Sequence, residues 1–268
     1  MPTIEANGLT IGYEVASAGP PLILLHGATG SGREQFAAQV PVLAKAFQLY
    51  VPDARGHAST VWDASRGLST TQMAEDVLAF ADALELESFH LLGYSMGAMT
   101  GLHVASRAPD RLRSFVAISI AAEREPRLAV GRVLMDPDRI ERQDPGWARQ
   151  LAGRHDPSQG EGGWRRLLAA IVADIEAQPL LGPGDLRAID PPTLIVAGDR
   201  DPFVPVDQAW ALARQVRDGR LLVLPGVGHD ALSDRPELLH VALEDFYRST
   251  ASIARRRAGA SASQEAAP

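Results

Sequence analysis

The chain has 268 residues, 46% of them hydrophobic and 22% charged, and its formal net charge is −7. These values are typical of a folded globular protein, and the acidic balance argues against a nucleic-acid partner, which would favour a basic surface. Cysteine is absent, which excludes disulfides, thiolate-bound metals and a cysteine nucleophile. No apolar run approaches the ~18 residues of a membrane span, and the N-terminus lacks a signal-peptide pattern. We therefore expect a cytoplasmic protein with no membrane partner.

Strands and helices alternate through the first 121 residues. Leu22–Leu25 is a continuous apolar run of strand length, which indicates a strand buried on both faces. A turn at Asn7-Gly8 divides the first extended segment, and Pro41 is expected to kink or shorten the first helix. Together these patterns predict a parallel sheet with helices on both faces. The predicted strands are 3–14, 22–25, 48–51, 89–92 and 112–119, and the predicted helices are 35–47, 70–86 and 96–107.

The alternation stops at about residue 122 and resumes after residue 186. Helical segments separated by prolines fill this interval, and an apolar stripe along 164–178 is the clearest of them. The interval therefore predicts a helical insertion over the sheet. Strands at 192–197 and 220–224 and helices at 206–216 and 236–248 follow. The Ala-, Ser- and Arg-rich tail, 253–268, is predicted to be disordered.

Gly93-Tyr94-Ser95-Met96-Gly97 lies between a predicted strand and a predicted helix and matches the G-x-S-x-G nucleophile elbow. The turn forces the serine into a strained backbone conformation, and small residues two positions either side let the strand and helix approach. At the helix N-terminus, free N–H groups favour developing negative charge. Ser95 is therefore the candidate nucleophile.

Two further polar residues follow the last two predicted strands. His229 can accept the serine proton and pass it to a leaving group. A carboxylate in Gly198-Asp199-Arg200-Asp201 can orient that histidine, and we favour Asp201, because Asp199 is placed to organise the turn. After the strand 22–25, the loop beginning at His26 can direct the Ala28 N–H at an oxyanion, with the Met96 N–H as second donor. His26 itself is expected to brace the loop.

The order of these elements along the chain resembles the α/β-hydrolase superfamily over about residues 3–250. Asp53–Thr60 also resembles the family's D-x-R-G-x-G-x-S loop, with Ala58 and Thr60 replacing the usual glycine and serine. The resemblance implies an eight-stranded, mostly parallel sheet with the second strand antiparallel. It also implies a small helical cap between strands six and seven. The predicted domains are a core of 1–121 and 187–252 and a cap of 122–186.

Departures from family patterns narrow the expected chemistry. Ser95 occupies the position where members resembling dehalogenases and epoxide hydrolases have aspartate, and Asp230 replaces the tryptophan common in C–C hydrolases. We expect a cofactor-independent serine hydrolase that cleaves small to medium carboxylic esters through an acyl-serine. Lactone or C–C bond cleavage by the same residues remains open, as do thioesters and small amides. The sequence predicts neither the oligomeric state nor the physiological substrate.

The cap is expected to select the substrate, with Met135, Trp147 and Trp164 as candidate pocket walls. We favour packing of the cap against the core as the interpretation of the stripe that contains Trp164. Four cap arginines can recognise a carboxylate, but we favour solvated surface positions for them. They are Arg127, Arg132, Arg165 and Arg166.

Two other classes of function compete with a hydrolase. The loop 27–32 and Asp53 resemble parts of a dinucleotide-binding site, but this interpretation leaves Ser95, Asp201 and His229 unexplained. The alternative is a non-catalytic binding protein that retains the fold. Such members usually lose a triad residue, whereas none is missing here.

Overall fold

The computed structural model describes the backbone of residues 1–265 and the side chains of residues 1–250. Its eight strands form one sheet in the order β1-β2-β4-β3-β5-β6-β7-β8. β2 is antiparallel to both of its neighbours, and all other pairs are parallel. This arrangement confirms the predicted fold class. The strands are β1 (Thr3–Ala6), β2 (Leu9–Ala16), β3 (Pro21–Leu25), β4 (Gln48–Pro52), β5 (Phe89–Tyr94), β6 (Leu112–Ile118), β7 (Thr193–Gly198) and β8 (Gly219–Leu224).

Twelve α-helices accompany the sheet within residues 1–265. They are α1 (Gly32–Gln35), α2 (Val40–Leu43), α3 (Thr70–Ala83), α4 (Met96–Arg107), α5 (Arg127–Leu134), α6 (Pro137–Gln143), α7 (Pro145–Gln159), α8 (Gly163–Ala177), α9 (Pro183–Arg187), α10 (Val206–Gln215), α11 (Ala231–Asp234) and α12 (Pro236–Glu265). None of them is both long and apolar enough to cross a lipid bilayer.

The central strand β3 shows why the sheet is covered on both faces. Ile23 and Leu25 belong to a hydrophobic cluster with residues of α3, α4 and α10, whereas Leu22 and Leu24 belong to a second cluster with residues of α12. Successive side chains of a strand point to opposite faces, so a continuous apolar run serves both layers. The interpretation of 22–25 as a doubly buried strand is confirmed.

Two helices differ from the sequence expectation. The helix expected over 35–47 is divided into α1 and α2, and Pro41 lies in the first turn of α2, where its missing N–H costs nothing. α12 extends to Glu265, past the predicted helix end at 248 and through most of the tail that was predicted to be disordered. The Ala- and Arg-rich sequence there has high helix propensity. The last part of that tail, 266–268, lies outside the described residues.

Helices α5–α9 occupy the interval between β6 and β7 and include no strand among the described residues. Trp164 is buried in a cluster of cap residues that extends to Leu68 and Met73 of the core, as the apolar stripe predicted. The cap thus rests on the carboxyl ends of the strands, where ligand sites of open α/β sheets form. The exact boundaries at 122 and 186 stay a prediction.

Candidate active site

Ser95 lies on a sharp turn between β5 and α4. Its φ of 51° and ψ of −113° are strained for a residue with a side chain. A Cβ on Gly93 would lie 2.4 Å from the Gly97 carbonyl oxygen, and one on Gly97 would lie 2.2 Å from the Leu25 carbonyl oxygen. Both glycines are therefore required by close backbone approach, which is the reason that the sequence pattern suggested.

Ser95, His229 and Asp201 form a continuous hydrogen-bonded row. His229 Nε2 lies 2.9 Å from Ser95 Oγ, and His229 Nδ1 lies 2.8 Å from Asp201 Oδ2. With its proton on Nδ1, the imidazole donates to Asp201 and leaves Nε2 to accept from the serine hydroxyl. The side chain of Asp201 is fully buried, whereas that of His229 is 21% exposed. The geometry thus suits proton transfer from Ser95 to His229.

The two aspartates after β7 have different partners. Asp201 Oδ1 accepts hydrogen bonds from the amides of Phe203 and Val204, which leaves Oδ2 to face His229. Asp199 Oδ1 instead accepts from the amides of Gly226 and Val227, at 2.6 and 3.3 Å. Asp199 therefore holds the loop that carries His229 rather than its own turn.

Ala28 and Met96 line the same cavity as Ser95. Among the described contacts, the amide N–H of neither residue has a backbone or side-chain acceptor. Gln35 Oε1 holds the adjacent Gly27 amide at 2.8 Å. His26 Nε2 accepts from the Ala54 amide at 2.9 Å, so the expectation that His26 braces the loop is confirmed. Two unsatisfied donors therefore remain available beside Ser95.

Sequence reasoning missed a group of three buried histidines behind this loop, whose rings meet edge to face. The His57 ring lies 4.9 Å from that of His26 and 5.6 Å from that of His155 on α7. His57 Nε2 lies 3.0 Å from the Ala28 carbonyl, and Nδ1 lies 2.9 Å from the Arg55 carbonyl. Because burial and the two other histidines hold the pKa of His57 well below its usual range, the neutral ring donates to only one of these carbonyls. His57 thus supports the loop that presents the Ala28 N–H.

Stability is expected to decrease as the pH falls below about 6.5, because burial lowers the pKa of both His103 and His155 to about 4. Above 6.5 these side chains are neutral in both states. Between 6.5 and 4 the unfolded chain binds their protons and the folded chain does not. Each such histidine removes roughly 1 kcal/mol of unfolding free energy per pH unit. Urea titrations between pH 7.5 and 5 measure this slope.

His103→Gln is the variant that isolates one of these contributions. His103 lies on α4 and its Nε2 is buried without a partner among the described residues. The substitution should reduce the slope of unfolding free energy against pH by the contribution of one histidine. This change in slope does not depend on how the substitution alters stability at pH 7.5. An unchanged slope in this variant would contradict the assignment.

Asp53, the candidate ribose ligand, is already occupied. Its Oδ1 accepts from the Gly32 amide, and its Oδ2 accepts from the amide and hydroxyl of Ser59. Nearby, Arg55 forms a buried bidentate ion pair with Asp76, with both contacts at 2.6 Å. These charged residues connect loops of the core, and both oxygens of Asp53 are engaged within the core rather than facing a ligand site.

The cavity beside Ser95 lies between the core and the cap. Its apolar wall consists of Met99, Ile120, Met135, Ile171, Ile175 and Phe203. Met135 is thus one of the three wall residues that the sequence suggested, and Trp147 and Trp164 are not among the lining residues. A second cavity adjoins His26, at the start of the loop 26–32, but Ser95 does not line it. The first cavity is therefore the candidate substrate site.

Comparison with known proteins agrees with the fold described above. Residues 20–185 match the family model of the alpha/beta hydrolase fold, and residues 176–250 match that of a TAP-like protein. The chain belongs to the α/β-hydrolase family. Together with the curated relatives described next, this membership supports hydrolase activity of the α/β-hydrolase type.

Two curated relatives and one solved structure illustrate the range within this family. A pyrrolizixenacetamide deacetylase of Xenorhabdus hominickii is 24% identical, over 93% of this chain and 98% of its own. A putative carbamate hydrolase of Agrobacterium fabrum is 27% identical, over 84% and 92%. The crystal structure of an enol-lactonase from Burkholderia xenovorans LB400 superposes with a TM-score of 0.75 at 23% identity, over 92% of this chain and all of that one.

Proposed function

We propose that the protein is a serine hydrolase that cleaves carboxylic esters of small to medium size through an acyl-serine intermediate. The observation that carries this proposal is the continuous row from Ser95 Oγ through His229 to Asp201, at 2.9 and 2.8 Å. In the first half-reaction Ser95 Oγ attacks the ester carbonyl while His229 Nε2 takes its proton. His229 then gives this proton to the departing alcohol, and Asp201 stabilises the transient imidazolium.

The second half-reaction uses the same groups with water. His229 removes a proton from a water molecule, which attacks the acyl-Ser95 carbonyl, and the returning proton regenerates the serine hydroxyl. In both halves the carbonyl oxygen gains negative charge. The unoccupied N–H groups of Ala28 and Met96 are the donors that we assign to this oxyanion.

A second candidate is cleavage of acyl–nitrogen bonds by the same residues. The two curated relatives, a deacetylase and a putative carbamate hydrolase, favour it. Hydrolysis of a lactone is chemically the same acyl transfer, and the enol-lactonase shares the fold. We rank esters first because an alcohol oxygen is a better leaving group than an amide nitrogen, so ester cleavage depends less on protonation of the leaving atom.

The test is a chain-length series of 4-nitrophenyl acetate, butyrate, octanoate and palmitate, with 4-nitroacetanilide as the matched amide of the acetate. We expect hydrolysis of the shorter esters and little of palmitate, because the cap closes the cavity with Met135, Ile171 and Ile175. In parallel, a fluorophosphonate should label Ser95, which peptide mass spectrometry locates.

Each result of this series has a distinct meaning. Faster cleavage of the anilide than of the acetate would replace the ester proposal with the amide one. Labelling without any hydrolysis would indicate an active serine behind a selective cap and would direct the search to lactones. If Ser95 neither labels nor supports turnover, the serine hydrolase proposal fails.

A further inference from the structure

The cavity beside Ser95 has a charged end that the proposed acyl transfer does not use. Arg127, at the start of α5, is the one cationic side chain among the residues that line this cavity, and it is only 8% exposed. This position corrects the sequence interpretation, which favoured a solvated surface site for Arg127. By contrast, Arg132 on the same helix is half exposed and pairs with Glu176 at 2.7 Å.

Arg127 has no carboxylate partner among the described residues. With the Gln178 amide oriented so that its nitrogen donates to Thr70 Oγ1, the amide oxygen accepts from both terminal nitrogens of Arg127, at 2.9 and 2.5 Å. The Arg127 Nε–H is buried and has no acceptor among the described groups. The positive charge is therefore held by a neutral amide, and part of its donor capacity is unused.

The nearby carboxylate of Asp174 is committed elsewhere. Its Oδ1 accepts from the Thr70 amide at 3.0 Å and its Oδ2 from the Thr70 hydroxyl at 2.6 Å. Asp174 thus caps the N-terminus of α3 and fixes α8 on the core. It lowers the cost of burying Arg127 through its charge but does not bind the guanidinium.

A buried cation without an ion-pair partner is costly, and proteins rarely keep one unless it meets an anion. Burial lowers the pKa of Arg127 to about 10, so the side chain is still protonated at neutral pH. An arginine fork matches the two oxygens of a carboxylate. The neighbouring wall is apolar, so it suits the hydrocarbon between such a carboxylate and a scissile carbonyl.

We propose that Arg127 binds a carboxylate of the substrate, so that the preferred substrates are esters that carry a second, ionised carboxyl group away from the scissile bond. This inference rests on the proposed function, because it takes Ser95 as the point of attack. The carboxylate can belong to the acid part or to the alcohol part of the ester. Arg127 Nε–H and the terminal nitrogens, shared with Gln178, are the donors.

In the wild-type protein, two pairs of esters show whether the bound carboxylate belongs to the acid part or to the alcohol part of the substrate. For the acid part, mono-4-nitrophenyl adipate is compared with 4-nitrophenyl hexanoate. For the alcohol part, 5-acetoxypentanoate is compared with pentyl acetate in a pH-stat. We expect the charged member of one pair to have the higher kcat/KM, and free adipate to inhibit competitively. The absence of a preference in both pairs, together with no inhibition, would overturn the inference.

Arg127→Met should raise KM for the favoured charged ester by about 10- to 100-fold, the range expected for losing hydrogen bonds to a charged group. The uncharged partner ester should change by less than about threefold, since it makes no such bond. Arg127→Lys should restore part of the preference, and Arg132→Met should leave it intact. Equal losses on both esters of the pair would mean that Arg127 acts only in packing.

Failure of this inference is distinguishable from failure of the hydrolase proposal. If Ser95 labels with the fluorophosphonate and 4-nitrophenyl hexanoate is cleaved, but no charged ester is preferred and adipate does not inhibit, only the role of Arg127 is wrong. If Arg127→Met does not fold, as thermal melting would reveal, the wild-type ester pairs and adipate inhibition still decide the question.

Discussion

Replacing Ser95 with alanine is expected to reduce kcat on the best short ester by about 10⁴- to 10⁶-fold, because the attacking oxygen is lost while the oxyanion donors remain. The fold should persist, since the serine Oγ contacts only His229 among the hydrogen-bonded groups described for this site. The measurement is steady-state hydrolysis of 4-nitrophenyl butyrate together with fluorophosphonate labelling, which should disappear.

Ser119→Ala is the matched control. Ser119 has a similar positive φ of 57°, and its Oγ donates to the His229 carbonyl at 2.8 Å. It therefore resembles Ser95 in backbone strain and in closeness to His229. Its hydroxyl, however, contacts the main-chain carbonyl of His229 and not the imidazole. We expect only a few-fold loss. Retention of more than about a hundredth of the activity in Ser95→Ala would exclude Ser95 as the nucleophile.

Asp201→Asn is expected to reduce kcat by about 10³- to 10⁴-fold on the same ester. The carboxylate fixes the proton of His229 on Nδ1, and an amide can present an N–H there instead, which turns the imidazole to the wrong tautomer. The substitution keeps the size of the side chain and the oxygen that accepts from the Phe203 amide. A change in kcat without a comparable change in KM is the expected signature, because Asp201 does not line the cavity beside Ser95.

Asp199→Asn provides the comparison for this variant. An asparagine Oδ1 can still accept from the Gly226 and Val227 amides, so the loop of His229 should be retained with only a few-fold loss of activity. Similar losses at the two positions would contradict the choice of Asp201 as the acid. Both variants should melt within a few degrees of the wild type, which separates positioning from unfolding.

The core elements and the row of Ser95, Asp201 and His229 were predictable because each depends on a local pattern. The apolar run 22–25 and the glycines around Ser95 report burial and crowding within a few residues. Parallel strands then place their carboxyl ends at one edge of the sheet, which brings distant residues together. The choice of Asp201 over Asp199 also rested on local turn chemistry, although the partner of Asp199 proved to be a different loop.

Arg127 and His57 could not be assigned in this way, because their environments come from remote segments. Arg127 is buried by contact with Gln178, 51 residues later, and an arginine on a cap helix has no sequence signature of that contact. The rings next to His57 belong to His26, which begins the loop 26–32, and to His155 of α7. The helical backbone of 253–265 was also not predicted, because its Ala-, Ser- and Arg-rich composition is compatible both with a helix and with disorder.

The contacts of α7 have a consequence for how the cap can diversify. His155 accepts from the Ala58 amide, Gln159 donates to the Ala58 and Thr60 carbonyls, and Arg154 donates to the Thr29 carbonyl. This one helix therefore contacts both the loop that contains Ala28 and the loop 54–60. Cap and core are therefore not freely exchangeable. We expect a chimera with a foreign cap to need these contacts of α7, and we expect substrate specificity to vary through residues of α5 and α8.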